Sequence, residues 1–114
     1  MNRLYGIANC DTMKKARAWL TEHDVACEFH DYKKLGIDEA TLSRWAQVVG
    51  WEVLLNRRGT TWRKLPEGVR DGVDEAKAIQ LMAEQPSLIK RPVLDKDGAI
   101  HVGFAAERYA ELFG

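Results

Sequence analysis

Apolar residues recur along this chain with two different periods, and the switches between them lay out its elements. Residues 4–8 form a short apolar run containing Tyr5 and Ile7, which predicts a buried strand. From Asp11 the period becomes helical. Met13, Ala16 and Leu20 share one face with Trp19 beside them, while Lys14, Lys15 and Arg17 fall outside it. That helix should close near Glu22 or His23. Residues 25–32 predict a second strand, alternating so that Cys27 and Phe29 face the core. A strand, a helix and a strand of these lengths make a βαβ unit, hence parallel strands and a right-handed crossover.

The middle of the chain is helical in pattern. Asp38 reads as an N-cap, Leu42, Trp45, Ala46 and Val49 follow at helical spacing, and Gly50 is a stop. Residues 51–56 predict a short further helix, 57–61 a loop with Thr61 capping the next turn, and 66–68 another loop. Residues 74–85 form an amphipathic helix with Ala76, Ile79 and Met82 or Ala83 inward, followed by Pro86. Residues 93–95 and Ala99–Val102 then read as strands joined through Asp97-Gly98, a strong hairpin signal. A last helix over 105–113 carries Ala106, Tyr109, Ala110 and Phe113 on one face. The order β-α-β, helices, β-β-α predicts an α/β thioredoxin-like fold. It would be one domain, with a helical insertion over about residues 38–85.

Composition narrows the function classes. A length of 114 residues suits one domain, and 46% hydrophobic with 30% charged residues is ordinary globular usage. No apolar run approaches the ~20 residues of a membrane helix, and the first ten residues lack a signal-peptide pattern. A cytoplasmic monomer is therefore expected. Seventeen basic residues balance seventeen acidic ones, so neither nucleic acid nor an anionic membrane is an expected partner. Cys10 and Cys27 are the two cysteines, expected as free thiols in a reducing compartment. There is no CxxC pair. Spacings among Cys10, Cys27, His23, His30 and His101 match no zinc pattern, so no metal site is expected.

The candidate chemistry sits at Cys10, where the first strand gives way to the first helix. Unpaired amides and the dipole at a helix start stabilise an anion. The thiolate is the reactive form of a thiol whose free pKa is ~8.5. Asn9 can donate its side-chain amide to the same anion, and Lys14 and Lys15 add positive charge, while Asp11 opposes it or caps the helix. On position alone, Cys10 reads equally well as a small buried apolar residue. Arg57, Arg58 and Gly59, with the hydroxyls of Thr60 and Thr61, offer a second element suited to an oxyanion or carboxylate. By themselves they are equally a solvated basic loop. Arg91-Pro92 before the hairpin is a third. A cis bond there would expose neighbouring backbone for pairing with an extended thiol peptide, although trans is the default.

Three ordered stretches carry a resemblance. They are residues 5–12 (YGIANCDT), 54–65 (LLNRRGTTWRKL) and 86–93 (PSLIKRPV), with Val102-Gly103-Phe104 after them. Together they resemble the arsenate reductase (ArsC)/Spx family, most closely its small YffB-type members, over nearly the whole length. The resemblance implies a thioredoxin fold with a helical insertion and a cis bond at Pro92. It implies that Cys10 is the nucleophile, that Arg91 is the arginine before the cis proline, and that Arg57 or Arg58 is the central-loop arginine. In the arsenate reductases of this family the equivalent cysteine attacks arsenate, and glutathione with glutaredoxin completes the cycle. Those enzymes carry a further oxyanion-binding arginine roughly where Gly103 stands here, which puts arsenate reduction second. Spx binds RNA polymerase and senses oxidation through a CxxC, whose second position is Met13 here. The leading expectation is a glutathione-linked thiol reductase. Cys10 is its nucleophile, and Asn9, Lys14, Arg57, Arg58, Arg91 and Pro92 surround the bound glutathione. No cofactor is bound, glutathione is the co-substrate, and glutaredoxin is a candidate partner. The substrate would be a small thiol or oxyanion. The alternatives are a glutaredoxin-coupled arsenate reductase and an Spx-like binding module without catalysis.

Overall fold

β1 (Asn2–Gly6) lies between two partners that run in opposite senses. β2 (Glu28–Asp31) is parallel to it, and β3 (Val93–Lys96) antiparallel; β4 (Ala99–Val102) then pairs antiparallel with β3. The computed structural model describes residues 2–114. By chain contacts it divides into two compact units, Met1–Tyr32 with Arg91–Gly114, and Lys33–Lys90. The first unit holds this four-stranded mixed sheet in the order β2-β1-β3-β4. Parallel pairing of β1 with β2 requires a crossover, and α1 (Asp11–Glu22) supplies it.

α1 buries Met13, Ala16 and Leu20, the face expected from spacing. They pack with Leu4, Leu94 and Tyr109 into the core of this unit. Tyr109 comes from α8 (Ala106–Phe113) and meets Trp19 and Phe104 edge-on, at ring separations of 5.6 and 4.8 Å. Gly6 ends β1 for a packing reason, because a β-carbon there would run into the Met13 side chain. At the β1–β2 edge the register sets Arg3 opposite Glu28, and the two pair at 3.0 Å.

The second unit is all helical apart from one bridge. α2 (Tyr32–Leu35) leads into it from the first unit. In α3 (Glu39–Val49) the Asp38 carboxylate accepts the Thr41 N–H at 2.8 Å, the expected N-cap. Gly50 stops that helix at φ 89°, a left-handed backbone natural to glycine. α4 (Trp51–Leu54), α5 (Thr60–Arg63) and α6 (Glu67–Arg70) are single turns. α7 (Glu75–Glu84) is capped by Asp74, which accepts the Lys77 N–H at 2.9 Å, and a 3-10 turn at Pro86–Leu88 follows. Leu42, Trp45, Leu54, Ile79, Met82 and Leu88 form the interior of this unit.

Several expected boundaries move. The first strand spans Asn2–Gly6 rather than residues 4–8, because its ladder ends where Gly6 faces Asp31. The second is only Glu28–Asp31. Val25 donates its N–H back to the Leu20 carbonyl at 2.9 Å to close α1, and Tyr32 already starts a helix. Cys27 precedes β2, half-buried against the core as expected. Thr60 and Glu67 begin helical turns within the segments expected as loops, and Gly59, not Thr61, holds the N-cap position of α5. In α7 the buried face is Ala78, Ile79, Leu81 and Met82, with Ala76 exposed. Ala76 lies in the exposed first turn of α7, and burial begins only from Ala78. In α8 only Tyr109 of the expected face is fully buried, and Ala106 and Ala110 are exposed. The expected insertion, residues 38–85, lies inside the helical unit Lys33–Lys90.

Candidate functional site

Cys10 occupies the N-cap of α1 in extended backbone, at φ −139° and ψ 129°, and its carbonyl accepts the Lys14 N–H at 2.9 Å. Asp11 is the first helical residue, not the cap. The sulfur stands at the first turn of α1, where it closes no capping hydrogen bond. Burial pushes the thiol upward. The Met13 N–H, a hydrogen bond and the charge from Arg91, and the Thr12 N–H together outweigh burial, so Cys10 lies below the ordinary thiol value. Cys10 also packs at the edge of the core, so both features read from the sequence, the helix start and the apolar contact, are present in the fold.

Sheet register explains why Arg91 reaches it. Tyr5 near the end of β1 faces Val93 at the start of β3. Arg91-Pro92, just before β3, thus sits beside the residues that follow β1. The same end of the sheet holds Tyr32, since Gly6 faces Asp31, and Gly103, since Val93 faces Val102. The Arg91–Pro92 bond is cis, and the Pro92 carbonyl accepts the Gly103 N–H at 2.8 Å.

The remaining expected residues are placed as follows. Asn9 and Lys14 are exposed on either side of Cys10 in sequence; Lys14 meets it through backbone only. Arg57 and Arg58 belong to the helical unit. There, with Glu52, Leu55, Asn56 and Lys90, they line a cavity of about 380 Å³. The Arg57 guanidinium lies 5.3 Å over the Trp51 ring. The Arg58 N–H donates to Asn56 Oδ1 at 3.1 Å. Sequence reasoning missed Lys90 and Glu52 as neighbours of these arginines. Lys90 stood within a quoted motif, but its place depends on a strand-like bridge no local pattern announces. Cys27 differs sharply from Cys10: burial, then Glu28, push its thiol up to about 11. His101 is lowered by burial, then by the charges of Arg108 and Lys96.

With this geometry in place, a family model described as ArsC family matches residues 5–112. The chain belongs to the ArsC family. A solved structure of a protein named YffB shares 56% identity over the whole of both chains, with a TM-score of 0.97. An arsenate reductase (ArsC) related protein from Brucella melitensis is 57% identical, covering 98% of this chain and 93% of that one, with a TM-score of 0.78. The global transcriptional regulator Spx of Streptococcus agalactiae is 29% identical over 106 residues, spanning 91% of this chain and 77% of Spx. Membership carries the thioredoxin-like α/β fold, in agreement with the β-α-β and β-β-α halves around the sheet. Met13, where the resemblance puts the second cysteine of Spx, is fully buried under β1. Among the described residues no helix is long and apolar enough to cross a membrane.

Proposed function

We propose that this ArsC-family chain is a glutathione-dependent thiol–disulfide reductase of the cytoplasm, with Cys10 as its single nucleophile. The observation that carries the reading is the sulfur at the N-cap of α1. It is held toward the thiolate by the Met13 and Thr12 amides and by Arg91. A thiolate is the attacking species in disulfide exchange. In the first step the Cys10 thiolate attacks the glutathione sulfur of a mixed disulfide. The old S–S bond breaks, a Cys10–glutathione disulfide forms, and the substrate leaves as a thiolate that takes up a proton. A second glutathione, as thiolate, then attacks that disulfide on the glutathione sulfur. Oxidised glutathione departs and the Cys10 thiolate is restored.

External glutathione is required because the other cysteine is a poor resolving thiol. Cys27 is pushed up to about 11, so at neutral pH it is almost wholly protonated. The carboxylates of glutathione call for cations. Arg91 is the one beside Cys10. Arsenate reduction with glutaredoxin ranks below this reading. Gly103, where the resemblance would put an oxyanion-binding arginine, has φ +88°, a backbone that L side chains rarely adopt.

The test is mass spectrometry after incubation with oxidised glutathione. A single glutathione adduct on Cys10 is expected, absent in Cys10→Ser. An unmodified Cys10 overturns the reading. Arsenate-dependent oxidation of a glutathione and glutaredoxin mixture would move the assignment to arsenate. Partner capture from extract that is unchanged in Cys10→Ala, with no adduct formed, would move it to a binding module.

A further inference from the structure

The cavity in the helical unit has a composition that a plain anion site would not have. Its position is set by backbone. Leu55 and Ile89 form an antiparallel bridge, the Asn56 N–H donates to the Leu88 carbonyl at 2.7 Å, and the Lys90 N–H donates to the Leu54 carbonyl at 2.8 Å. This short ladder brings Lys90 beside the Asn56-Arg57-Arg58 turn. The turn is tied by the Arg58 N–H to Asn56 Oδ1, and Gly59 passes so close that a β-carbon there would stand 2.9 Å from Asn56 Nδ2. Arg57 is held over Trp51. Three cations, Arg57, Arg58 and Lys90, thereby line one cavity with a single carboxylate, Glu52.

Among the described residues, Glu52 makes no ion pair with any of the three, so the carboxylate does not neutralise the cations by direct contact. A doubly charged oxyanion entering here would be drawn by the cations and repelled by Glu52. An α-amino-acid head group suits both signs, because it carries an ammonium and a carboxylate on one carbon. Glutathione carries one such head group and a second carboxylate at its glycine end.

The geometry points to a zwitterion subsite in this cavity. Glu52 receives the ammonium of the γ-glutamyl head group of glutathione, and Arg57, Arg58 and Lys90 receive carboxylate. This rests on the reading of the chain as a glutathione-linked reductase; the subsite itself lies wholly within the helical unit and names a residue that selects for the free amine. The carboxylate–ammonium pair is open to water, so its effect belongs to the range of exposed ion pairs and shows as selectivity more than as tight binding.

The experiment uses a ligand that cannot form a disulfide. S-Methylglutathione and its N-acetyl derivative are titrated calorimetrically into the full chain and into Glu52→Gln and Lys90→Gln. Acetylation removes the ammonium and leaves a more anionic ligand, which cations alone would prefer. Wild type is expected to hold S-methylglutathione about fivefold tighter than the acetylated form. In Glu52→Gln that preference should vanish or reverse, while Lys90→Gln weakens both ligands. The subsite is overturned by a wild type without preference, by a preference that survives Glu52→Gln, by no binding of either ligand, or by inorganic arsenate binding better than S-methylglutathione. A Cys10–glutathione adduct that forms equally in wild type and Glu52→Gln, with no amine selectivity, leaves the reductase reading standing and removes only the subsite.

Discussion

The Arg91 guanidinium hydrogen-bonds the Cys10 sulfur where β1 gives way to α1. One residue comes from the start of the chain and the other from the approach to the hairpin. Antiparallel pairing of Tyr5 with Val93 brings them together. Charge-assisted bonds of this kind are among the stronger polar contacts in proteins. Removal of Arg91 should therefore be read directly in the reactivity of the sulfur.

Arg91→Gln is expected to raise the midpoint of pH-dependent Cys10 alkylation by on the order of one pH unit, the scale of one lost charged hydrogen bond. Wild type should alkylate with a midpoint below the ordinary thiol value, since its amides and Arg91 outweigh burial. Iodoacetamide rates across a pH series, in a Cys27→Ala background, measure both. Identical midpoints would remove Arg91 from the site.

Cys27 should behave in the opposite way. Its folded value, about 11, is above the ~8.5 of a free thiol, so the folded chain keeps a proton that the unfolded chain loses. The stabilisation is complete below pH ~8.5 and is lost as pH rises toward about 11. Urea midpoints of Cys10→Ser should fall across that window, and fall less when Cys27 is also changed to Ala. Alkylation of Cys27 at pH 8 should be slow in the folded protein. Rapid labelling there would contradict the burial argument.

Gly6→Val tests the close approach of β1 and α1. The new side chain must displace Met13, which is fully buried. A loss of about 1–3 kcal/mol is expected, the usual cost of overpacking a core. Urea denaturation should show a lower midpoint with an unchanged slope. Because the Met13 backbone also favours the Cys10 thiolate, displacing Met13 should slow Cys10 alkylation at neutral pH in the same variant.

Asp74→Ala should cost about 1 kcal/mol, because the carboxylate caps the Lys77 N–H at the start of α7. Asp74→Asn should keep most of the stability, since an amide oxygen accepts the same bond. Equal losses in the two variants would show that charge, rather than capping, acts at this position.

Local pattern determined a good deal of this protein. The buried face of α1, the cap at Asp38, and the hairpin through Asp97-Gly98 all follow from interactions within a few residues. The position of Cys10 at a helix start was legible for the same reason. Strand ends were not, because a ladder stops where its partner stops, as Gly6 opposite Asp31 shows. Arg91 comes to Cys10 only through the pairing of β1 with β3, which no local pattern announces. Likewise Lys90 joins the Arg57-Arg58 turn only through the bridge between Leu55 and Ile89. Short-range periodicity selects helices and their buried faces, whereas a site assembled from distant segments exists only once backbone hydrogen bonds have set their register.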